Sequence, residues 1–392
     1  MTAPDFKNTA IAFQMHENSS LRRAYWLFKS ISSPSLVRTG NAIVVQALKI
    51  GLPVRWAIKP TIYRQFVGGE TIKECSPVVQ NLAGYGVKSV LDFSIEGKEE
   101  DADMESALQE TLRSIENAGK NPNIPFAVFK PTAFIPRRVL DKIEQPWTLT
   151  SDDHARMDLF KARVDKLCSA ASQIGKPILV DAEDSWYQKF IDEITEQMMQ
   201  RYNRDRAVVF NTLQMYRHDR LAFLKSQHQK AVDGNYYLGV KFVRGAYMEK
   251  ERERAARMGY TSPIQPDKAS TDRDFDAALT FCIENISKIS IFCGTHNENS
   301  CLYLANLMQQ HNIRPSDPRV WFSQLYGMSD HISFNMAIIG YNVAKYVPYG
   351  PVKHVIPYLA RRAEENTSVK GQTGRELGLI SKELIRRRQA KD

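Results

Sequence analysis

From residue 86 onward, short apolar runs rich in Val, Ile and Phe alternate with longer stretches whose apolar residues recur every three or four positions. The runs are GVKSVLDFS (86–94), IPFAVFKPTAF (124–134), KPILVDAED (176–184), RAVVFNTLQMY (206–216), YYLGVKFVRGAY (236–247), SIFCGTHN (290–297), RVWFSQLY (319–326) and NVAKYVPYG (342–350). Each predicts a strand. Between them, ESALQETLRSIENAG (105–119) and DHARMDLFKARVDKLCSAASQIG (153–175) predict helices. Alternation of this kind predicts parallel βαβ units. The runs are too apolar for a half-exposed antiparallel sheet, as expected of strands covered on both faces. Eight units predict an α/β fold of the (β/α)8 TIM-like class.

Residues 1–85 read differently, with helical fragments, Pro53, Pro60 and the pair Gly68-Gly69. They are expected to form an N-terminal helical arm, followed by a barrel over 86–378 and a basic helical tail over 379–392. A Gly-containing loop (Lys370, Gly371, Gln372, Thr373, Gly374) precedes the last helix. The segment NAIVVQALKIGLPVRWAIKP is apolar on one face yet holds Lys49, Pro53 and Arg55, so it reads either as a helix packed on the barrel or as one touching a membrane.

Composition narrows the class. With 43% hydrophobic and 25% charged residues in 392, the chain has the make-up of a soluble globular protein. Its net charge of +9 reads as a diffuse excess apart from the tail KELIRRRQAKD. Such an excess suits an anionic cofactor or a membrane surface. Nucleic-acid binding would call for a clustered basic stripe with interleaved aromatics, so no nucleic-acid partner is expected. Five cysteines, odd in number and irregular in spacing, suit a reducing compartment. Cys293, His296 and Cys301 lie close in sequence, but no second ligand pair stands at zinc spacing, and no metal is expected. The N-terminus lacks an apolar signal core and carries Asp5 and Glu17, and no run of 18 apolar residues exists. A cytoplasmic protein is expected, with peripheral contact at the inner face of a membrane.

In barrels of this class the active site lies at the C-terminal ends of the strands. Those ends are polar here: Lys130, Asp181 and Glu183, Gln214, then Lys241, Arg244 and Tyr247, then Thr295, His296 and Asn297, then Gln324 and Tyr346. A polar residue inside an apolar run is costly if buried without a partner. So many at equivalent places favour a shared pocket, with a structural hydrogen bond as the alternative for any one of them. In KFVRGAY, Gly245 and Ala246 let the backbone approach a ligand, and Lys241 and Arg244 add positive charge. No Gly-x-Gly-x-x-Gly follows a strand, which argues against a Rossmann dinucleotide site. Finally, KYVPYGPVKHVIPYLARRAEEN (345–366) reads as a strand ending in a Tyr-Val-Pro-Tyr-Gly turn, then a helix displaying Arg361 and Arg362 beside Glu365. Paired guanidiniums offer planar forks of donors that suit a small carboxylate. An exposed ion pair with Glu365 is the plainer reading.

The stretches LVDAED, LQMY, KFVRGAYMEKER, GTHN, QLYGM and KYVPYGPVKHVIPYLARRAEEN resemble the proline dehydrogenase family, both single-function enzymes and the dehydrogenase domain of bifunctional proline-utilisation enzymes. The resemblance runs from about residue 80 to 378. It implies a distorted (β/α)8 barrel holding non-covalent FAD, and oxidation of L-proline to 1-pyrroline-5-carboxylate. Electrons would pass to a membrane quinone, and pyrroline-5-carboxylate dehydrogenase would be the pathway partner. Carried over by motif, Arg361, Arg362 and Lys130 would face the proline carboxylate, with Glu365 in support. Tyr247 and Tyr346 would pack the ring. Relatives acting on hydroxyproline tend to lack the latter Tyr, so Tyr346 favours proline. Lys241 would sit by flavin N5, the hydride acceptor, and Asp181 would be an active-site carboxylate, acting as a base or only orienting the cations. Ala182, Gln214, Arg244, Gly245, Ala246, Thr295, His296, Asn297 and Gln324 would line FAD. Some relatives carry Arg at 241, Lys at 244 and an aromatic at 248, where this chain has Lys241, Arg244 and Met248. The rival readings are a hydroxyproline oxidase, a Schiff-base aldolase using Lys130 or Lys241, and a non-catalytic binding module.

Overall fold

The computed structural model describes residues 4–49, 54–95, 99–368 and 372–390. Each of the eight apolar runs forms a strand: β1 Lys88–Phe93, β2 Ala127–Phe129, β3 Ile178–Val180, β4 Val209–Gln214, β5 Leu238–Val243, β6 Ile289–Gly294, β7 Val320–Leu325 and β8 Val343–Tyr349. All ladders are parallel, in the order β1-β8-β7-β6-β5-β4-β3-β2. The barrel is nearly closed. Across the β1–β2 seam, the Ser89 N–H donates to the Asn123 carbonyl at 2.9 Å. The predicted Tyr-Val-Pro-Tyr-Gly turn is strand up to Tyr349, because Pro348 pairs in register with Asp92. The chain leaves the sheet only at Gly350, whose φ of +143° suits a residue without a Cβ.

Alternate residues of a strand face opposite sides, and this period sorts the barrel interior into two layers. At the N-terminal end the inward positions are apolar, and Val90, Val128, Leu179, Phe210, Phe292 and Ala344 cluster there. Phe126 plugs this end, with its ring centroid 4.9 Å from Phe292, 5.4 Å from Trp321 and 5.5 Å from Phe210, all edge-on. Two residues further along the same strands, the inward positions turn polar: Asp92 after Val90, Lys130 after Val128, Asp181 after Leu179, Thr212 after Phe210. The outward positions pack against the surrounding helices in the main core.

The arm contributes the helices Asn18–Ile31 and Pro34–Lys49. Their inner residues Leu21, Phe28, Ile31 and Val37 form one cluster with Val355 and Leu359 of the helix Val352–Ser368 and with Leu379 and Ile380 near the C-terminus. The last helix, Gln372–Gln389, runs without a break through residues 378 and 379, where the sequence suggested a boundary. It is tied to the arm by Arg387, which donates to the carbonyls of His16 (2.7 Å) and Phe13 (2.8 Å). Gly371 and the side chain of Glu365 lie outside the described residues. Among the described residues no helix is long and apolar enough to cross a membrane.

Truncation of Phe126 empties the centre of the plug, so Phe126→Ala is expected to lower unfolding free energy by about 3–5 kcal/mol. Urea denaturation checks this. A loss under about 1 kcal/mol would mean that the interior does not rest on that ring.

Candidate active site

The polar inward positions of β1, β2, β3, β5 and β8 meet in one buried network. Asp181, just past β3, is its centre. Its Oδ1 accepts from Lys241 Nζ at 2.5 Å and from the Tyr346 hydroxyl at 2.7 Å, and its Oδ2 accepts from Lys130 Nζ at 2.9 Å. Lys130 also donates to both carboxylate oxygens of Asp92, at 3.0 and 2.9 Å. Lys241 Nζ donates to the Tyr346 hydroxyl at 3.2 Å and stands 4.5 Å from its ring centroid. Asp92, Asp181, Lys241 and Tyr346 are all buried.

Two ammoniums and two carboxylates make this cluster neutral, which is what lets it sit away from water. Burial pushes the Asp181 carboxyl up, but Lys130 and Lys241 outweigh it and hold the group well below the usual carboxylate range. Burial draws Lys241 down against the pull of Asp181. The Tyr346 phenol is driven well above its ordinary value by burial and then by Asp181, so it stays protonated and donates.

Arg361 and Arg362 leave the helix Val352–Ser368 about 100° apart, as consecutive helical residues must. Arg361 lies 5.7 Å from the Tyr247 ring, and the buried Arg362 lies 5.2 Å from the Tyr358 ring. The closing helix is thereby joined to the end of β5 through Tyr247. Arg362 also acts electrostatically on His296.

The β5–β7 side of the mouth is a separate set of contacts. Arg244 is fixed by Asp272 (2.9 and 2.7 Å), Thr295 Oγ1 (2.6 Å) and Ser300 Oγ (3.0 Å), and lies 4.4 Å over the Phe275 ring. Gly245 has φ +129°, and a Cβ there would come within 2.4 Å of the Tyr216 ring. The close approach that requires this glycine is thus to a protein ring. Ala246 is exposed and Ala182 is partly buried. Asn297 caps the helix Glu298–Gln310 through its side-chain oxygen. Gln324 is satisfied at both ends, donating to the Thr295 carbonyl at 3.0 Å and accepting from Ser333 Oγ at 2.7 Å. Gln214 differs: its Nε2 donates to the Glu183 carbonyl at 2.8 Å, while its Oε1 is buried without a partner. A buried acceptor left unmet costs about 1–3 kcal/mol. It marks where an N–H donor of a ligand would be welcome.

His296 Nε2 faces the Leu325 N–H at 3.5 Å, so Nδ1 carries the proton toward Ser329 Oγ at 2.8 Å. Removal from solvent, followed by the charges of Lys345 and Arg362, pushes this imidazole down to about 3. The loop beneath it is held from both ends of the chain. Glu376 of the last helix accepts from the Ser329 N–H, and Arg375 binds Glu298 at 2.8 Å. Asp330 binds Lys345 at 2.7 Å and His16 of the arm at 2.7 Å. Cys293 and Cys301 are buried thiols pushed up by burial, Cys293 to about 12. No group of three or more His, Cys, Asp or Glu is placed to hold a metal among the described residues.

Sequence reasoning missed Asp92, although the signal that found Lys130 was present: a charged residue two positions after an inward apolar one near a strand end. It also missed Asp272, Ser300, Ser329, Lys345 and Glu376, which lie on helices, loops or outward positions and become neighbours only in the fold.

The sequence model described as proline dehydrogenase matches residues 75–375. The carbapenem antibiotics biosynthesis protein CarD of Pectobacterium carotovorum subsp. carotovorum is 35% identical, over 82% of this chain and 83% of its own. Mitochondrial proline dehydrogenase 1 of Dictyostelium discoideum is 33% identical, over 86% of this chain and 67% of its own. The human mitochondrial proline dehydrogenase 1 is 37% identical over 61% of this chain, a match that spans 40% of the human protein. Proline utilization A of Bdellovibrio bacteriovorus, solved after inactivation by N-propargylglycine, superposes with a TM-score of 0.72 at 19% identity. That match covers 93% of this chain and 38% of the other, and it establishes a shared barrel fold.

Two outcomes follow from the site's electrostatics. Asp181→Ala strands Lys241 and is expected to cost about 3–5 kcal/mol, more than Asp92→Ala, which leaves Lys130 one carboxylate; equal costs by denaturant titration would contradict a cluster centred on Asp181. His296 takes up a proton near 6.5 when unfolded but only near 3 when folded. Its contribution is therefore fully present above about pH 6.5 and is lost as pH falls toward 3. Comparing His296→Gln with the parent from pH 7 to 5, the variant should show the shallower decline.

Proposed function

The chain belongs to the proline dehydrogenase family of oxidoreductases, which serve proline catabolism, and we propose that it oxidises L-proline to 1-pyrroline-5-carboxylate with FAD bound at the barrel mouth and a membrane quinone as electron acceptor. Pyrroline-5-carboxylate dehydrogenase would consume the product. The observation that carries this reading is the neutral Asp92–Lys130–Asp181–Lys241–Tyr346 network, lying at the strand ends while the arginine-bearing helix closes toward it through Tyr247.

The residues present suit a flavin. Gln214 Oε1 is a buried acceptor lacking a donor, and the edge of an isoalloxazine ring presents an N–H. Gln214 would hold that edge, Lys241 and Arg244 would supply positive charge, and His296 with the rest of its GTHN loop would meet the rest of the nucleotide. Ala182, Ala246, Gly245, Thr295, Asn297 and Gln324 line the same side of the mouth in this proposal. FAD, when bound, supplies the two-electron acceptor chemistry.

The chain's own residues have three tasks. Arg361 and Arg362 grip the substrate carboxylate, with Glu365 in support, and fix the ring in place, so that the reaction proceeds as within one molecule. Tyr247 and Tyr346 flank that ring. Dense positive charge lowers the pKa of the substrate amine, whose lone pair must be free for a hydride to leave the adjacent carbon. Asp181 already accepts from three donors and is held ionised, which makes it a weak base. Its part is to keep Lys130, Lys241 and Tyr346 in position. Lys130 directs its donors to Asp92 and Asp181, so it contributes to carboxylate binding mainly through its charge. The same ion pairing argues against a Schiff-base lysine, which must be a neutral amine to attack.

Arg361→Ala and Arg362→Ala should each raise KM for proline by roughly 10²-fold or more, in line with about 3 kcal/mol for a charge-assisted contact. Flavin content should stay near that of the parent. Steady-state kinetics together with the visible spectrum before and after anaerobic proline addition test this. Unchanged KM in both variants, or a colourless protein that never bleaches, would refute the assignment.

A further inference from the structure

The positive charge is not spread over the chain as its totals suggest. Residues 18–69 hold eight Lys and Arg and no Asp or Glu, while everything else has 45 basic residues against 44 acidic ones. Segment 18–69 of the arm thus carries +8 by itself, whereas the rest of the chain nearly balances. The arm also exposes large apolar side chains. Trp26 is 62% exposed, Leu36 60%, Ile43 63% and Trp56 77%.

Helical geometry explains how both features share one face. In Asn18–Ile31 the residues Leu21, Ala24, Phe28 and Ile31 are buried against the closing and last helices. That leaves Arg22, Trp26 and Lys29, spaced four and three apart, as an outward stripe, with Lys29 Nζ 5.0 Å from the Trp26 ring. In Pro34–Lys49, Val37 is buried, while Leu36, Arg38 and Ile43 point outward. At the edge, Arg55 and Lys59 share the carboxylate of Glu70, at 2.6 and 2.5 Å, with Glu74 farther from Lys59 at 3.8 Å.

Exposed tryptophans and aliphatics interleaved with cations, and no acid among them, match one environment: the headgroup boundary of an anionic bilayer, apolar below and negative at the surface. A nucleic acid would meet the cations but has no partner for Leu36 and Ile43. Neither helix, over its described residues, is long and apolar enough to cross a membrane. We propose that the outer face of the arm helices is a docking surface for anionic lipid, on which the protein lies peripherally. This deepens the reading of a membrane-borne acceptor. The arm's inner face packs on the helix that carries Arg361 and Arg362, so the lipid would lie about 10 Å, one helix layer, from the closing helix.

The full-length protein is to be sedimented with vesicles of phosphatidylcholine alone and with 30% phosphatidylglycerol. Partitioning should rise about tenfold or more with the anionic lipid and fall again in 0.5 M NaCl, as for a surface carrying several cations. Tryptophan emission should shift to the blue on binding. Trp26→Ser/Trp56→Ser should cut partitioning about tenfold and abolish the shift, and Arg22→Glu/Lys29→Glu should remove the anionic preference. Trp147→Ser, at a residue equally exposed (80%) but outside the arm, should change neither. Proline turnover with a soluble dye acceptor should be unaffected in all of them, so vesicle binding and the oxidation chemistry are judged separately. Three results would overturn the proposal: no difference between the two vesicles, a concentration-dependent dimer lost in the Trp26→Ser/Trp56→Ser variant, or salt-sensitive binding to duplex DNA without binding to vesicles.

Discussion

Two lysines facing into a barrel can remain ionised only if counter-charges stand beside them, and Asp181 is where that requirement is met. It accepts hydrogen bonds from Lys130, Lys241 and Tyr346, which come from three different strands. Asp92 supplies the second negative charge through Lys130. Once the cluster is neutral it can be buried, and once it is buried its members have one geometry. The tyrosine ring over Lys241 and the polar floor of the mouth both follow from that pairing. The same pairing limits Asp181 chemically: a carboxylate with three donors holds its neighbours in place and has little capacity left to take a proton.

The barrel does not finish this site alone. The closing helix is pressed into place by the arm and by the last helix, which share one apolar cluster with it. The loops carrying His296 and Ser329 are held by Glu376 and Arg375 from the last helix and, through Asp330, by His16 from the arm. Segments near both ends of the chain therefore determine the shape of the mouth. The division of charge follows the division of labour. The barrel is close to electroneutral, with its cations matched by carboxylates, and the excess lies in the arm and the basic tail, where solvation costs little and a charged surface can be met.

Much of the fold could be read directly. All eight strands were visible as apolar runs, since parallel strands covered on both sides need side chains that fit a pleated, buried environment. Their inward polar residues were visible too, because a Lys or Asp in such a run is too costly to be incidental. The reading of KYVPYG as ending in a turn failed because proline at the end of β8 needs no ladder donor and stays in register with Asp92. The reading of a charge diffuse outside the basic tail failed, because totals hide the acid-free segment 18–69.

The eightfold alternation, the inward polar residues at the strand ends and the arginine-bearing helix that follows β8 are written along the chain, for these are local matters of periodicity and of the cost of burying charge. Which charges answer one another is settled by the folded arrangement. Asp92, Lys130, Asp181, Lys241 and Tyr346 span more than 250 positions and become partners because barrel closure brings parallel strand ends within hydrogen-bonding reach. The same holds for Glu376 beneath Ser329 and for tryptophans and cations sharing one face of the arm. Such pairings depend on distances through space, which no spacing along the chain records.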